Sequence, residues 1–138
     1  MSAEANKAIV RRFIEGAWNE KNPAIADELC APTYIYHGSD HEPGPAIARQ
    51  LIGMFAEAFP DAQATIDQIL AEDDLVAMRW TTVGTHEGDF GGLPATGKRV
   101  QMNGMEIFRL EDGLIVERWS NSDTLGLLQQ LGVISPAE

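Results

Sequence analysis

The chain has 138 residues, long enough for one domain with a real core, and 21 acidic side chains against 10 basic ones leave it at −11. That charge disfavours nucleic acid and anionic membrane surfaces, because the basic residues are not clustered: Arg11–Arg12 and Lys98–Arg99 stand as isolated pairs. One cysteine, Cys30, excludes an internal disulfide and a thiolate-rich metal site. No leader-type apolar run opens the chain and no stretch approaches the roughly 20 apolar residues that span a bilayer, so a cytoplasmic protein with no membrane partner is expected.

The first element is an amphipathic helix: Ile9, Val10, Phe13, Ile14, Ala17 and Trp18 recur at spacings of three and four. Asn19 to Pro23 breaks it, and a short helix over PAIADELC follows, with Pro23 near its first turn. APTYIYHG is β-branched and aromatic and predicts a strand ending at His37. After EPGP, a third helix presents Ile47, Leu51, Met54, Phe55, Ala58 and Phe59, and Pro60 stops it. The period then changes to two. AQATID alternates and QIL slips phase, which predicts a bulge. EDD is a turn. In the long strand LVAMRWTTVGTHEG, Val76, Met78 and Trp80 share a face, with Thr82 and His86 at the same parity. GDFGGLPATG lacks the spacing of a phosphate cradle and reads as a long hairpin connection or a flap over a pocket. Strands over 98–110 and 114–122 and a terminal helix complete the order.

Helices first and a long meander after them is the α+β pattern. The expected architecture over residues 1–138 is a single cone-shaped domain. A curved antiparallel sheet packs against three helices from the N-terminal half, with a short C-terminal helix and a ligand cavity at the open end.

The hairpin RLEDGLIV sets the expected facing of the last strands. A three-residue loop Glu111–Asp112–Gly113 pairs Leu110 with Leu114, Phe108 with Val116, Glu106 with Arg118 and Met105 with Trp119. Asp123 then shares the parity of Trp119, Met105 and Asn103, and that face is assigned to the cavity. Glu106 and Glu117 read as a solvated or paired face. Phe108 and Val116 are left on the convex face, where exposed apolar residues predict a homodimer. Two readings of Asp123 stand. It is a preferred N-cap for the helix carrying Leu125, Leu127, Leu128 and Leu131, or it is a carboxylate held at the mouth of a pocket.

Five segments carry a resemblance: IVRRFIEGAWNEKNPAIADELCAP, YIYHG, AFPD, GTHEGDFGGLPATGKRV and IFRLEDGLIVERWSNSDTLGLLQQLG. Together they resemble the SnoaL-like polyketide cyclases, within the nuclear-transport-factor-2-like superfold. The resemblance implies a helix-lined cone around an apolar cavity. It implies a cofactor-free intramolecular aldol closure of a polyketide ester, with an aspartate near the C-terminus as general acid/base; Asp123 is the matching position. His37 stands where relatives carry a pocket histidine. Relatives also carry a histidine on the penultimate strand, and RVQMNGMEIFRL has none.

With Asp123 in that role, Trp80, Met105 and Trp119 are expected to wall the ligand and Asn103 or a histidine to donate to a developing oxyanion, with His37 a pocket candidate and His86 at the rim. His37 and His41 are four apart, but GSD between them argues against a helical metal pair. The expectation is therefore a hydrophobic small-molecule substrate with no metal and no organic cofactor. The alternative is a non-catalytic domain binding such a molecule in the same cavity.

Overall fold

The computed structural model describes residues 2–135. In chain order these form α1 (Ala3–Ile14), a π-helical turn (Glu15–Asn19), α2 (Ala24–Leu29), β1 (Cys30–Tyr36), α3 (Ala46–Ala58), β2 (Gln63–Glu72), β3 (Leu75–Thr85), β4 (Arg99–Glu111), β5 (Leu114–Ser122) and α4 (Thr124–Gln130). The α+β reading holds. The strand order is β1-β5-β4-β3-β2. The sheet differs from expectation at one edge, where β1 runs parallel to β5 while the other pairs are antiparallel. Residues 37–113 lie between those two strands, which leaves room for the crossover a parallel pair requires.

The Ser2 hydroxyl caps α1 by accepting from the Ala5 amide at 3.1 Å, and Val10, Phe13 and Ile14 bury its apolar stripe. The helix then widens: the Glu20 amide donates to the Glu15 carbonyl five residues back, at 2.9 Å. Such π turns recur at functional sites, and this one carries Ala17 and Trp18 to the pocket described below. At its end the Asn19 amide donates to the Ala64 carbonyl (3.1 Å) and accepts from the Ala64 amide (2.6 Å), tying the turn to β2. The β2–β3 register slips between Ile66 and Gln68, where the alternation changes phase.

The decisive departure lies between β4 and β5. Asp112 (φ 52°) and Gly113 (φ 81°) are both left-handed, the signature of a two-residue type I′ turn. Glu111 therefore pairs with Leu114, not Leu110 with Leu114. The register slips again between Arg109 and Leu110, leaving Val116 as the unpaired extra residue of β5. Beyond that bulge Phe108 faces Arg118, Glu106 faces Ser120 and Ile107 faces Trp119. The expected Glu106–Arg118 register is thus corrected to a diagonal relation on one face, and the two side chains still pair.

That face is the inner one. Glu106 and Arg118 are only 3% and 6% exposed, whereas Met105 is 62% exposed. The expectation that Met105, Asn103 and Trp119 line the cavity is overturned, as is the placing of Phe108 and Val116 on the convex surface: both are buried. The physical reason is that a charge pair was expected to sit in solvent, and here it is buried with Trp18, Tyr36 and Phe108 around the guanidinium.

Two apolar clusters hold the layers together. The larger joins α1, α2 and α3 to β3, β4 and β5 through residues such as Phe13, Tyr34, Ile52 and Phe108. The smaller gathers Phe59, Val100, Met102, Leu127 and Leu131 beneath α4. Trp80 packs against both. Its indole lies over Gly104, where a Cβ would stand 2.7 Å from Trp80 Cζ2 and 2.7 Å from the Asn121 carbonyl oxygen. Gly104→Ala is therefore expected to push the indole off the sheet and to cost about 1–3 kcal/mol, as overpacking does. Urea unfolding with an unchanged slope and an earlier midpoint checks it.

Candidate functional site

Between the helices and the inner face of β3–β5 lies a pocket of about 160 Å³. It separates the two apolar clusters and draws its lining from both. The helical side is aromatic: Trp18 and Phe55 meet edge-on at 5.6 Å, and Phe55 and Phe59 flank Phe90 at 5.3 and 5.5 Å. Phe90 comes from the Gly-rich connection, where its backbone pairs both ways with Leu93 at 2.9 Å. So this loop contributes a wall.

The sheet side changes character from strand to strand. β3 presents Met78, Trp80 and Thr82; β5 presents Arg118, Ser120 and Ser122. Alternation places successive inward residues of β5 in one row, and the row continues through Asp123 and Thr124. The result is an apolar pocket with one polar edge.

At the inner end of that edge the Arg118 guanidinium donates from Nε (2.9 Å) and from Nη2 to a single oxygen, Glu106 Oε1. Trp18, Tyr36 and Phe108 surround the guanidinium at 5.8, 5.1 and 5.9 Å from their ring centroids. Burial works to lower the Arg118 pKa, but the charge of Glu106 and the neighbouring Tyr34 outweigh it and hold it above the ordinary value. Arg118 therefore keeps its positive charge at neutral pH. Lys21, also on the lining, spends its ammonium on the carbonyls of Trp18, Asn19 and Ala62, the last at 2.7 Å.

At the outer end Asp123 caps α4: Oδ1 accepts from the Gly126 amide at 2.9 Å, and the Asp123 amide donates to the Asn103 carbonyl at 3.0 Å. A Cβ on residue 126 would lie 2.2 Å from Oδ2, so glycine there is what permits the carboxylate its position. Asp123 is exposed and borders the pocket. Both readings of this residue thus describe its actual position.

Of the residues expected at the site, Trp80 and Asp123 line the pocket and the others do not. His37 stands on the outer face, stacked on Trp119 (4.8 Å, 7°) with Nε2 2.8 Å from Glu117 Oε2. The hydrogen bonds from His37 and Arg109 hold Glu117 below the usual carboxylate range. Asn103 and Met105 are exposed on that outer face. His86 is fully buried beneath the Gly-rich connection: its ring lies 5.4 Å from Phe59, and Nδ1 accepts from the Thr96 amide at 3.2 Å. Arg118, Glu106, Ser120, Ser122 and Thr124 were missed as site residues. The signal for the first two was present, since their opposite charges were paired across the hairpin but assigned to solvent. Cys30 is buried, and burial pushes its thiol up to about 12, against the opposing charge of Arg118. Among the described residues no group of three or more His, Cys, Asp or Glu is arranged to hold a metal ion, and no helix is long and apolar enough to cross a membrane.

Residues 8–131 match the family model for SnoaL-like polyketide cyclases. The chain is 29% identical over 130 residues to aklanonic acid methyl ester cyclase DauD of Streptomyces sp. (strain C5), covering 90% of this chain and 80% of that protein. It is 26% identical over 126 residues to nogalonic acid methyl ester cyclase of Streptomyces nogalater, covering 90% and 92%. Among solved structures, TsrD from Streptomyces laurentii superposes with a TM-score of 0.89 at 30% identity, over 97% of this chain and 99% of that one.

The buried ion pair generates a stability test. Glu106→Ala leaves the Arg118 charge buried without its partner and is expected to cost about 3–5 kcal/mol, while replacing the pair together by Met and Leu recovers most of that loss. Urea unfolding of the single and double variants measures the difference.

Proposed function

The chain belongs to the SnoaL-like polyketide cyclase family, and on that premise we propose that it is an ester cyclase closing a ring by intramolecular aldol addition, with Asp123 moving the proton. The observation that carries this is the place of Asp123: one carboxylate oxygen caps α4 and the side chain borders the pocket at the end of its polar edge. An aldol closure removes a proton from a carbon between a ketone and an ester and delivers one to the carbonyl oxygen that is attacked. The first carbon is already acidic, so a carboxylate suffices as base. Asn103 and His37 lie outside the pocket, so the donors for the developing oxyanion are sought among the Ser120, Ser122 and Thr124 hydroxyls beside Asp123. The aromatic helical wall suits a flat, hydrophobic, oxygenated molecule, and none of these steps calls on a metal or an organic cofactor.

A second reading has its own support. Asp123 is exposed and already serves as a cap, which fits a binding domain without turnover. Asp123→Asn separates the two, because asparagine caps about as well as aspartate but takes no proton at neutral pH. With aklanonic acid methyl ester as the test substrate, turnover is expected to fall about 10²- to 10⁴-fold with an unchanged melting curve. Turnover equal to wild type would assign Asp123 to the helix alone.

We also propose that two copies associate through the outer sheet face. Its support differs from the sequence-based expectation: Met105, Ile107, Trp119 and Leu70 stand exposed there, not Phe108 and Val116. Sedimentation at micromolar concentration should give a dimer in the wild type, and Ile107→Glu should give a monomer with an unchanged melting curve.

A further inference from the structure

Among the described residues four buried side-chain polar atoms have no hydrogen-bond partner: Tyr34 Oη, Trp80 Nε1, His86 Nε2 and Arg118 Nη1. Two of the four belong to side chains that line the pocket, Trp80 and Arg118. Both atoms are donors only. Buried donors are ordinarily satisfied, and one left over on the wall of a pocket calls for an acceptor that arrives from outside the fold.

The arrangement of Arg118 is specific in this respect. A guanidinium and a carboxylate can close a two-pronged pair that uses both oxygens. Here Nε and Nη2 converge on Glu106 Oε1 alone, and Nη1 is left over. Glu106 neutralises the charge without consuming the donor. Trp80 is held comparably: its indole lies over Gly104, which has no side chain to displace it, and Nε1–H stays buried. The hydroxyls of Tyr36, Thr82 and Ser120 on the lining can turn to donate or accept, whereas these two buried N–H groups can only donate. The Tyr34 hydroxyl adjoins the same guanidinium closely enough to interact with it but without hydrogen-bond geometry, and it is not on the lining.

We propose that Arg118 Nη1, at the inner end of the pocket, and Trp80 Nε1–H, at the level of Gly104 and Ser122, are two oxygen anchors on the pocket wall, each donating to a carbonyl, enolate or carboxylate oxygen of the ligand. The anchors deepen the cyclase reading and rest on it for the meaning of orientation. Arg118 and Ser122 are four residues apart on β5, about 13 Å at the rise of a strand, and Asp123 follows at once. A ligand anchored at the inner end therefore presents its far end to Asp123. The class selected is a flat hydrophobic body with oxygen functions at both ends. A molecule with oxygen only at the mouth would leave the Arg118 donor buried and unpaired.

The test is binding, with probes that undergo no reaction. 2-Acetylnaphthalene offers a carbonyl oxygen; 2-isopropenylnaphthalene has the same shape with a methylene in its place. Calorimetric titration of the wild type is expected to favour the ketone by about tenfold, the size of a net hydrogen bond. Trp80→Phe keeps a ring and removes the N–H, and Arg118→Lys keeps a charge for Glu106 and removes Nη1. Each is expected to cut the preference several-fold, and the two together to abolish it, with hydrocarbon affinity changed less than about twofold. A merely structural role would lower both affinities alike and leave their ratio intact. Equal affinities in the wild type, a ratio unmoved in Trp80→Phe, or failure of both probes to bind at millimolar concentration would each overturn the anchors. Should Arg118→Lys fail to fold, Trp80→Phe decides alone. The anchors stand or fall on this ratio, and the cyclase reading on turnover by Asp123→Asn, so the two failures are told apart.

Discussion

The inner face of the sheet is organised around a buried ion pair. Taking a guanidinium and a carboxylate out of water costs more than their attraction returns unless the geometry is good and the remaining atoms are provided for. Here two donors converge on one Glu106 oxygen and three aromatic rings surround the Arg118 cation. Those rings come from the π turn, β1 and β4, so the cation that closes the floor also ties the N-terminal half of the chain to the meander. An apolar pair of equal volume would pack as well. It would not put a fixed positive charge, already neutralised, at the end of an aromatic pocket.

The pair and the Val116 bulge belong to one design. The tight Asp112–Gly113 turn by itself would set Glu106 opposite Trp119, putting a charge and an indole on the same face. The extra residue at Val116 shifts the strand beyond it by one, which turns Arg118, Ser120 and Ser122 inward and Glu117, Trp119 and Asn121 outward. One residue thus decides the chemistry of the pocket edge, because side chains alternate with a period of two. The same shift places Trp119 beside His37 on the outside, where the pair becomes surface.

Most of the fold was legible because it rests on local periodicity. The helices, the phase slip in QATIDQIL and the inward set Val76, Met78, Trp80 and Thr82 follow from apolar spacing alone. The facing of β4 and β5 was not legible for the same reason. Both faces of these strands carry apolar residues, Met105, Ile107 and Trp119 on one and Phe108, Leu110 and Ile115 on the other, so alternation could not say which was inside. The tie was broken by assuming that Glu106 and Arg118 stay in water. Burial of that pair is a tertiary fact, depending on rings that lie about 100 residues earlier in Trp18 and about 80 earlier in Tyr36. His37 was misplaced together with the face it adjoins.

Asp123 reached the pocket for a reason that parity does not contain. By alternation it belongs with Trp119 and Asn121 on the outside. The strand ends at Ser122, however, and Asp123 leaves the sheet with ψ 72° as α4 begins, so its side chain is aimed by the helix it caps and no longer by the pleat. Cap and pocket-edge carboxylate are therefore not competing descriptions. A serine or an asparagine would start this helix about as well. Of these three, only aspartate offers a second oxygen that is also a base, and the capping bond to Gly126 holds that oxygen over a position where no Cβ is present to push it away. The hydrogen bond that begins the helix is thus also what orients the carboxylate at the pocket edge.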